Sequence, residues 1–459
     1  MQHQIGVQRL FERYTVAFWL FIILTGVSQT AKAVPSFARQ TGMDCVACHT
    51  SFPELTPFGR NFKLNGYTLG ERQLTPLAAM MQFSVTNVAK ERDNTGTKQV
   101  YRQNDAQFDL LSIFVAGKLS DHAGMFLQWT YSNNSEQRQD GSIYHHSQLD
   151  NTDIRVVTNH DFLGKDLVFG LNLNNNPTIQ DVWNSTPAWG YPFNGPNVPH
   201  PGPAYSTVID GGLSQQVAGV GGYLWWDRHL YGEVSMYGNA NGFFRSLSAG
   251  QPWHSNGVTR IDGRNNPYWR LAWNEDWGAH SLMVGTYGMQ VDVYPDNANP
   301  HGPTNRFTDT AIDAQYQYIS DPGIISLQTS YTHEKQDNKA LFDAACSSGT
   351  DPCINQHDHL NTFKAKASYL YNRKYGASVA YFNTTGSNDP VAFSTGNNLV
   401  TKPDNRGVIA ELDFNPWTFS RVALQYTHYS KWDGSGKVDA VGLRPGDRDT
   451  LFLNAWFAY

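Results

Sequence analysis

The sequence predicts an all-β protein, a 16-stranded antiparallel β-barrel of the outer-membrane type behind a short N-terminal segment, and three observations carry that prediction. From residue 77 to 459 the chain breaks into stretches of about ten residues in which apolar and polar side chains alternate, the period of a strand. The connections between them alternate too: short ones such as Ser120-Asp121, Trp226-Asp227, Ser320-Asp321-Pro322 and Asn415-Pro416-Trp417 take turns with long polar ones, including 175–215, 239–265, 335–359 and 431–448. Finally, the chain ends on a run that places Leu451, Leu453, Ala455, Phe457 and Tyr459 on one face, like the terminal strand of an inserted barrel.

The predicted strands are 77–88, 105–118, 122–132, 147–158, 165–174, 216–225, 228–238, 266–275, 279–290, 306–318, 323–334, 360–371, 375–386, 406–414, 418–430 and 449–459. In the first, Ala79, Met81, Phe83 and Val85 form the apolar face, which turns Met80, Gln82 and Ser84 inward. Between 362 and 371, Phe363, Ala365, Ala367, Tyr369 and Tyr371 oppose Thr362, Lys364, Lys366 and Ser368. Leu230, Gly232, Val234 and Met236 likewise oppose Tyr231, Glu233, Ser235 and Tyr237, and Val408, Ala410, Leu412 and Phe414 oppose Glu411 and Asp413. Lysines and carboxylates would be costly in the dry core of a sandwich, whereas a wet lumen accepts them.

Composition agrees. The chain is 13% aromatic but only 16% charged, as suits aromatic girdles around an apolar belt. A formal charge of -6 without a basic stripe excludes nucleic acid as a partner.

Residues 1–33 read as a signal peptide: Arg9 and Arg13 open it, an apolar run follows from Tyr14 to Val27, and Ala31-Lys32-Ala33 forms the small-x-small cleavage site. That run is shorter than the roughly 20 residues a spanning helix needs. The mature chain then starts at Val34 and reaches the barrel at residue 77, so 34–76 is a separate short segment. Its 43 residues are too few to enclose a cofactor in a core of their own.

That segment holds Cys45-Val46-Ala47-Cys48-His49. Two thiols one helical turn apart match the two vinyl groups of a haem, and a His directly after the second reaches the iron from the same face. The motif therefore predicts one covalent haem c, attached through Cys45 and Cys48 with His49 as proximal ligand. A thioredoxin-like redox pair would need a βαβ context, and a zinc site a second Cys or His pair nearby; none follows before His122. Met80 is the candidate distal ligand, with His122, His160 and His229 open as alternatives near the same barrel end. Arg39, Arg60 and Lys63 flank the motif and are candidate partners of the haem propionates. Cys346 and Cys353 enclose a short polar stretch and are expected to form a loop disulfide in an oxidising compartment. The pairs His145-His146 and His357-x-His359 read as solvated loop residues. No Ser-His-Asp, Walker or zinc-hydrolase pattern supplies a catalytic residue.

The stretch Pro35-Ser36-Phe37-Ala38-Arg39-Gln40-Thr41-Gly42-Met43, with Phe52-Pro53-Glu54-Leu55-Thr56-Pro57-Phe58-Gly59-Arg60 and Phe62-Lys63-Leu64-Asn65-Gly66-Tyr67, resembles the fused cytochrome–porin family that includes outer-membrane iron oxidases. Asn176-Pro177-Thr178-Ile179-Gln180-Asp181-Val182-Trp183-Asn184 and Pro187-Ala188-Trp189-Gly190 in the third long loop are similar to the same family. The resemblance implies a monohaem segment plugging or abutting a porin in the bacterial outer membrane, entering from the periplasmic side. It also implies electrons passing from extracellular ferrous iron to periplasmic c-type cytochromes, an oxidoreductase activity by outer-sphere transfer. Two other expectations stand beside it: a conduit of the same build for another extracellular donor or acceptor, and a diffusion porin whose haem is structural or sensory.

Overall fold

The computed structural model describes residues 35–94, 96, 103–137, 143–196, 205–240, 247, 259–263, 265–296, 300–347, 353–393, 401–439 and 442–459. The expected signal peptide, 1–33, lies outside them. Sixteen strands form the barrel: β1 (Leu77–Val88), β2 (Gln107–Ser120), β3 (Ala123–Gln137), β4 (Ile143–Phe162), β5 (Lys165–Asn174), β6 (Val217–Trp226), β7 (Leu230–Asn239), β8 (Asn266–Trp277), β9 (His280–Val293), β10 (Asn305–Ile319), β11 (Gly323–Asp337), β12 (His357–Tyr371), β13 (Tyr375–Gly386), β14 (Asn405–Phe414), β15 (Ser420–Lys431) and β16 (Thr450–Ala458). Each pairs antiparallel with its chain neighbours, and β1 closes on β16 with Met80 opposite Ala458 and Val88 opposite Thr450. Closure leaves no strand edge, so the ladder pairs backbone groups around the whole wall.

Alternation sets the faces as the sequence predicts. Met80, Gln82 and Ser84 point into the lumen, while Met81 and Phe83 point out. Val234, Leu271, Val284, Ile312, Leu412 and Leu453 are exposed on the outer surface. Around β11–β15 this apolar belt is bounded by Tyr369, Tyr371, Tyr375, Phe414 and Trp417 at the short-turn end, and by Tyr331, Phe363, Tyr381 and Tyr426 at the other.

Several strands run further than predicted at the long-loop rim. β4 begins at Ile143 and β12 at His357, so His145, His146, His357 and His359 belong to strands rather than loops. In β12 the added residues His357, Asp358 and His359 are polar on both faces, which removes the alternation that marks a strand. The loop after β11 also holds a helix, α4 (Lys339–Ser347), where no helical period was expected. Cys346 at its end is bonded to Cys353, as expected, with Cα atoms 5.6 Å apart.

The lumen is not uniformly wet. The N-terminal segment enters it as α1 (Pro35–Thr41), the single turn α2 (Cys45–Cys48) and α3 (Pro57–Leu64). The long connection after β5 folds inward to meet it, and residues 174–186 are buried throughout. Leu64 of α3 and Val182 and Trp183 of that connection pack with Val157, Val168, Tyr223, Trp225, Tyr231, Ala272 and Met283 of the wall. A dry core therefore fills the β4–β9 side. On the β11–β15 side a cavity of about 400 Å³ remains, lined among others by Tyr191, Asp210, Gln328, Lys364, Thr384 and Gln425.

Candidate functional site

The Cys-x-x-Cys turn is built by its neighbours. One helical turn sets Cys45 and Cys48 on the same side, Cys45 buried and Cys48 half-buried. His49 leaves the turn in extended conformation, its N–H donating to the Cys45 carbonyl at 2.9 Å, and pairs with Leu55 across a short loop. Thr56 then performs two tasks. Its hydroxyl accepts from the N–H of Gly59 (3.1 Å), capping α3, and donates to the Ala47 carbonyl (2.6 Å), tying α3 to the motif. Pro57 starts that helix at the position where a missing N–H costs nothing. Gly59 is required, because a Cβ there would collide with the Cys48 carbonyl.

The His49 ring packs on Phe52 at 4.4 Å between centroids, and Phe52 packs on Trp456 of β16 at 5.2 Å. Burial lowers the imidazole to about 4, against the partial opposition of the Glu54 and Pro53 backbone, so at neutral pH the ring is uncharged and can offer a lone pair. His49 Nδ1 and Trp456 Nε1, either side of Phe52, are both buried without a hydrogen-bond partner. Cys45 and Cys48 are not bonded to each other. Burial pushes the Cys48 thiol up to about 11, the opposite of what a reactive redox dithiol needs. Two thiols on one face beside an uncharged imidazole suit a haem better than a thiol redox pair.

Among the candidate distal ligands, Met80 lies on the luminal wall. Its sulfur is 3.9 Å from Gln82 Nε2, and Gln82 stands opposite Trp456 in the strand register, so Met80 shares the strip of wall on which Phe52 packs. The histidines do not face this strip. His229 stacks on the outward Trp273 at 5.2 Å, His160 pairs with Thr158 on the exposed face, and His122 is exposed in a turn.

The three cations near the motif are occupied. Arg39 donates to the carbonyls of Thr75 and Leu77 at the barrel mouth. Arg60 reaches Gln315 (3.1 Å), Gln317 (2.8 Å) and Ser281 (2.5 Å) on the wall, with Asp276 at 3.6 Å. Lys63 donates to the carbonyls of Ile179 (2.5 Å) and Asp181 (3.1 Å), and its ammonium lies 4.8 Å over the Trp189 ring. These contacts anchor the segment to the wall and the inward connection.

Charged residues that sequence reasoning passed over complete the anchoring. Arg270 of β8 pairs with Asp313 (2.7 Å) and with Asp181 of the connection (3.3 Å), and its guanidinium stacks over Trp183 at 5.3 Å. Asp153 of β4 accepts from Tyr67 (2.6 Å), while Arg155 donates to the Gln180 carbonyl (2.8 Å). Asn184 bonds both the Leu55 N–H (3.0 Å) and the Pro53 carbonyl (3.3 Å), and Glu54 pairs with Lys366 of β12. The available signal was that Asp153, Arg155, Arg270 and Asp313 sit on faces that alternation turns inward.

No family model and no curated protein matches this chain. Among solved structures it is similar to OmpT of Vibrio cholerae with loop L8 deleted, at 10% identity and a TM-score of 0.41 over 83% of this chain and 98% of that one. It is also similar to an anion-selective porin from Comamonas acidovorans, at 10% identity and a TM-score of 0.42 over 83% and 98% of the two chains. The barrel itself rests on its strand pairing.

One consequence concerns Lys63. Burial lowers its ammonium from an ordinary value near 10.5 to about 7, with Asp153 opposing that shift. Between those two values the unfolded chain holds a proton that the docked chain has released, so docking should strengthen as pH rises from 7 towards 10. Proteolysis of the N-terminal segment, followed against pH, should show this slope in the native protein and lose most of it in Lys63→Met; an equal slope in both would refute the assignment.

Proposed function

We propose that this chain is an outer-membrane electron conduit, in which a single haem c on Cys45, Cys48 and His49 takes electrons from an extracellular donor, ferrous iron, and passes them to a periplasmic c-type cytochrome. The observation that carries this reading is the threading of the Cys-x-x-Cys-His turn into a closed barrel and its locking there by the inward connection. A redox group held at that point is insulated from lipid by the wall, so electrons can cross where the donor cannot.

The outer belt of apolar residues between aromatic rings supports placement in a membrane. The short-turn end, where such barrels face the periplasm, carries the motif: Val46 accepts from Arg373 in the turn between β12 and β13, and Met43 and Asp44 beside it are exposed. That leaves an accessible edge for a soluble carrier. Haem supplies one-electron chemistry when bound. The chain's own residues would do the rest: Cys45 and Cys48 would hold the group in position, His49 would offer it an uncharged nitrogen, Phe52 and Trp456 pack beside that ring, and Met80 is the wall residue that would serve as a second ligand.

The test is the visible spectrum of the purified protein before and after anaerobic addition of ferrous iron. Rapid appearance of reduced c-type bands is expected. Reduction by dithionite but not by iron would move the proposal to another donor, and a colourless protein would remove the haem altogether. A near-infrared sulfur-to-iron band in the oxidised protein, lost in Met80→Ala, checks the distal residue. Diffusion-porin function predicts steady ion conductance in planar bilayers, whereas the packing around Trp183 on the β4–β9 side, with Phe193 on Trp456 and Gln425 donating to the Asn194 carbonyl on the other, predicts a closed pore.

A further inference from the structure

The long-loop rim carries a row of outward-facing basic and imidazole side chains that the electron-transfer reading leaves unused. Immediately beyond the aromatic ring of Tyr331, Phe363, Tyr381 and Tyr426, strand register sets Lys335 beside His359, His333 beside Asn361, and Arg406 beside Asn383, with His428 on the next strand. Lys335, His359, Arg406 and His428 are exposed, and the rings of His333 and His359 lie 6.3 Å apart. Neutral groups orient the row: Asn361 bonds His333 (2.7 Å), Ser387 bonds His359 (2.8 Å), and Asn383 accepts from Arg406 Nε (3.2 Å). Carboxylates in reach include Asp337, 3.8 Å from His357, Asp449, which holds His428 at 2.7 Å, and Glu334 on the inner face, which interacts with His333. Lys335 and the remaining guanidinium donors of Arg406 make no ion pair among the described residues. From β11 to β15 the row spans four strand spacings, roughly 20 Å, the width of a few lipid headgroups.

We infer that this row, on one side of the barrel, binds the phosphate groups of membrane lipids in the leaflet facing the long loops. The inference rests on the membrane-spanning part of the proposed function and is independent of the haem. Its position decides between a lipid and a free anion. Phosphates seated along the row, one near Lys335 and another near Arg406, would leave their acyl chains running down Tyr331, Tyr381, Val379 and Val408, all exposed on the apolar belt. Fixed cations at a membrane surface attract anionic headgroups, and polar side chains that are already oriented lose less freedom in doing so.

The experiment uses the full-length protein in detergent, incubated with equal amounts of phosphatidic acid and phosphatidylcholine of identical chains, with bound lipids counted by native mass spectrometry. The wild type should retain phosphatidic acid in roughly tenfold preference, and Lys335→Gln/His359→Gln/Arg406→Gln should bring the ratio close to parity. The paired change Lys165→Gln/Lys374→Gln at the opposite rim should leave it unaltered. Heat-dependent gel migration scores folding, and Lys335→Glu alone, a change at an exposed position, serves if the triple variant does not fold. A preference that survives the triple change, or one abolished by excess inorganic phosphate, overturns the inference. Insertion into vesicles is scored separately, so failure of the barrel to enter a membrane is distinguishable from failure of the row to select a lipid.

Discussion

Cys48→Ser should reduce covalently bound haem to background while leaving the barrel folded. The side chain is half-buried on a single helical turn, and serine is close to it in size, so packing against Gly59 and the Thr56 tie to Ala47 should survive. Haem-dependent peroxidase staining on a denaturing gel reads the covalent link, and heat-modifiable migration reads the barrel. His49→Gly makes the complementary case: the thioethers stay and staining persists, but the absorption bands shift because the proximal nitrogen is gone. The alternatives predict otherwise. A zinc site would yield a colourless protein that releases one metal to a chelator, and a redox dithiol would react with alkylating reagents at neutral pH. Burial of Cys48 already opposes the latter by disfavouring the thiolate. A wild-type protein produced with competent haem-attachment machinery that still shows no stain would end the haem assignment.

The wall was legible because one physical signal repeats along it. The bounds of β1, β5 and β13 coincide with those predicted, since apolar and polar residues alternate through most of each strand. At the long-loop rim β4 and β12 outran their predicted starts; in β12 both faces are polar there, and His357 and His359 were taken for loop residues. The Cys-x-x-Cys-His pattern could be singled out for a different reason, because its five residues are consecutive. The interior was harder. The connection after β5 was read as an extracellular loop, although Ile179, Val182, Trp183 and Trp189 are too apolar for one, and the structure buries the first three completely. Arg60 and Lys63 show the limit most clearly. Nearness in sequence to Cys48 suggested propionates, but their donors go to Ser281, Gln315, Gln317 and the carbonyls of Ile179 and Asp181, partners more than 100 residues away that only the closed wall brings together.

The second large effect is expected at Arg270, where the wall holds the inward connection. Its guanidinium is fully buried, paired with Asp313 and Asp181, and stacked over Trp183; Ser185 also donates to Asp313 at 2.5 Å. Arg270→Met keeps most of the volume but strands two carboxylates in a dry surrounding. Removing one partner of such a cluster costs about 3–5 kcal/mol, far more than the pair itself contributes relative to an apolar replacement. The strain can be relieved by letting residues 175–186 leave the lumen, because water then reaches both Asp181 and Asp313. Arg270→Met should therefore convert a closed barrel into one with steady conductance in planar bilayers, and should expose the connection to protease. Arg270→Met/Asp181→Asn/Asp313→Asn removes all three charges and should recover much of the closure, which separates an electrostatic latch from simple loss of bulk. Trp183→Ala tests the packing half of the same lock and should cost about 3–5 kcal/mol through the cavity it leaves. If Arg270→Met stays as closed and as protease-resistant as the wild type, the connection is held by the Trp183 core alone and the charged latch has no part in closing the pore.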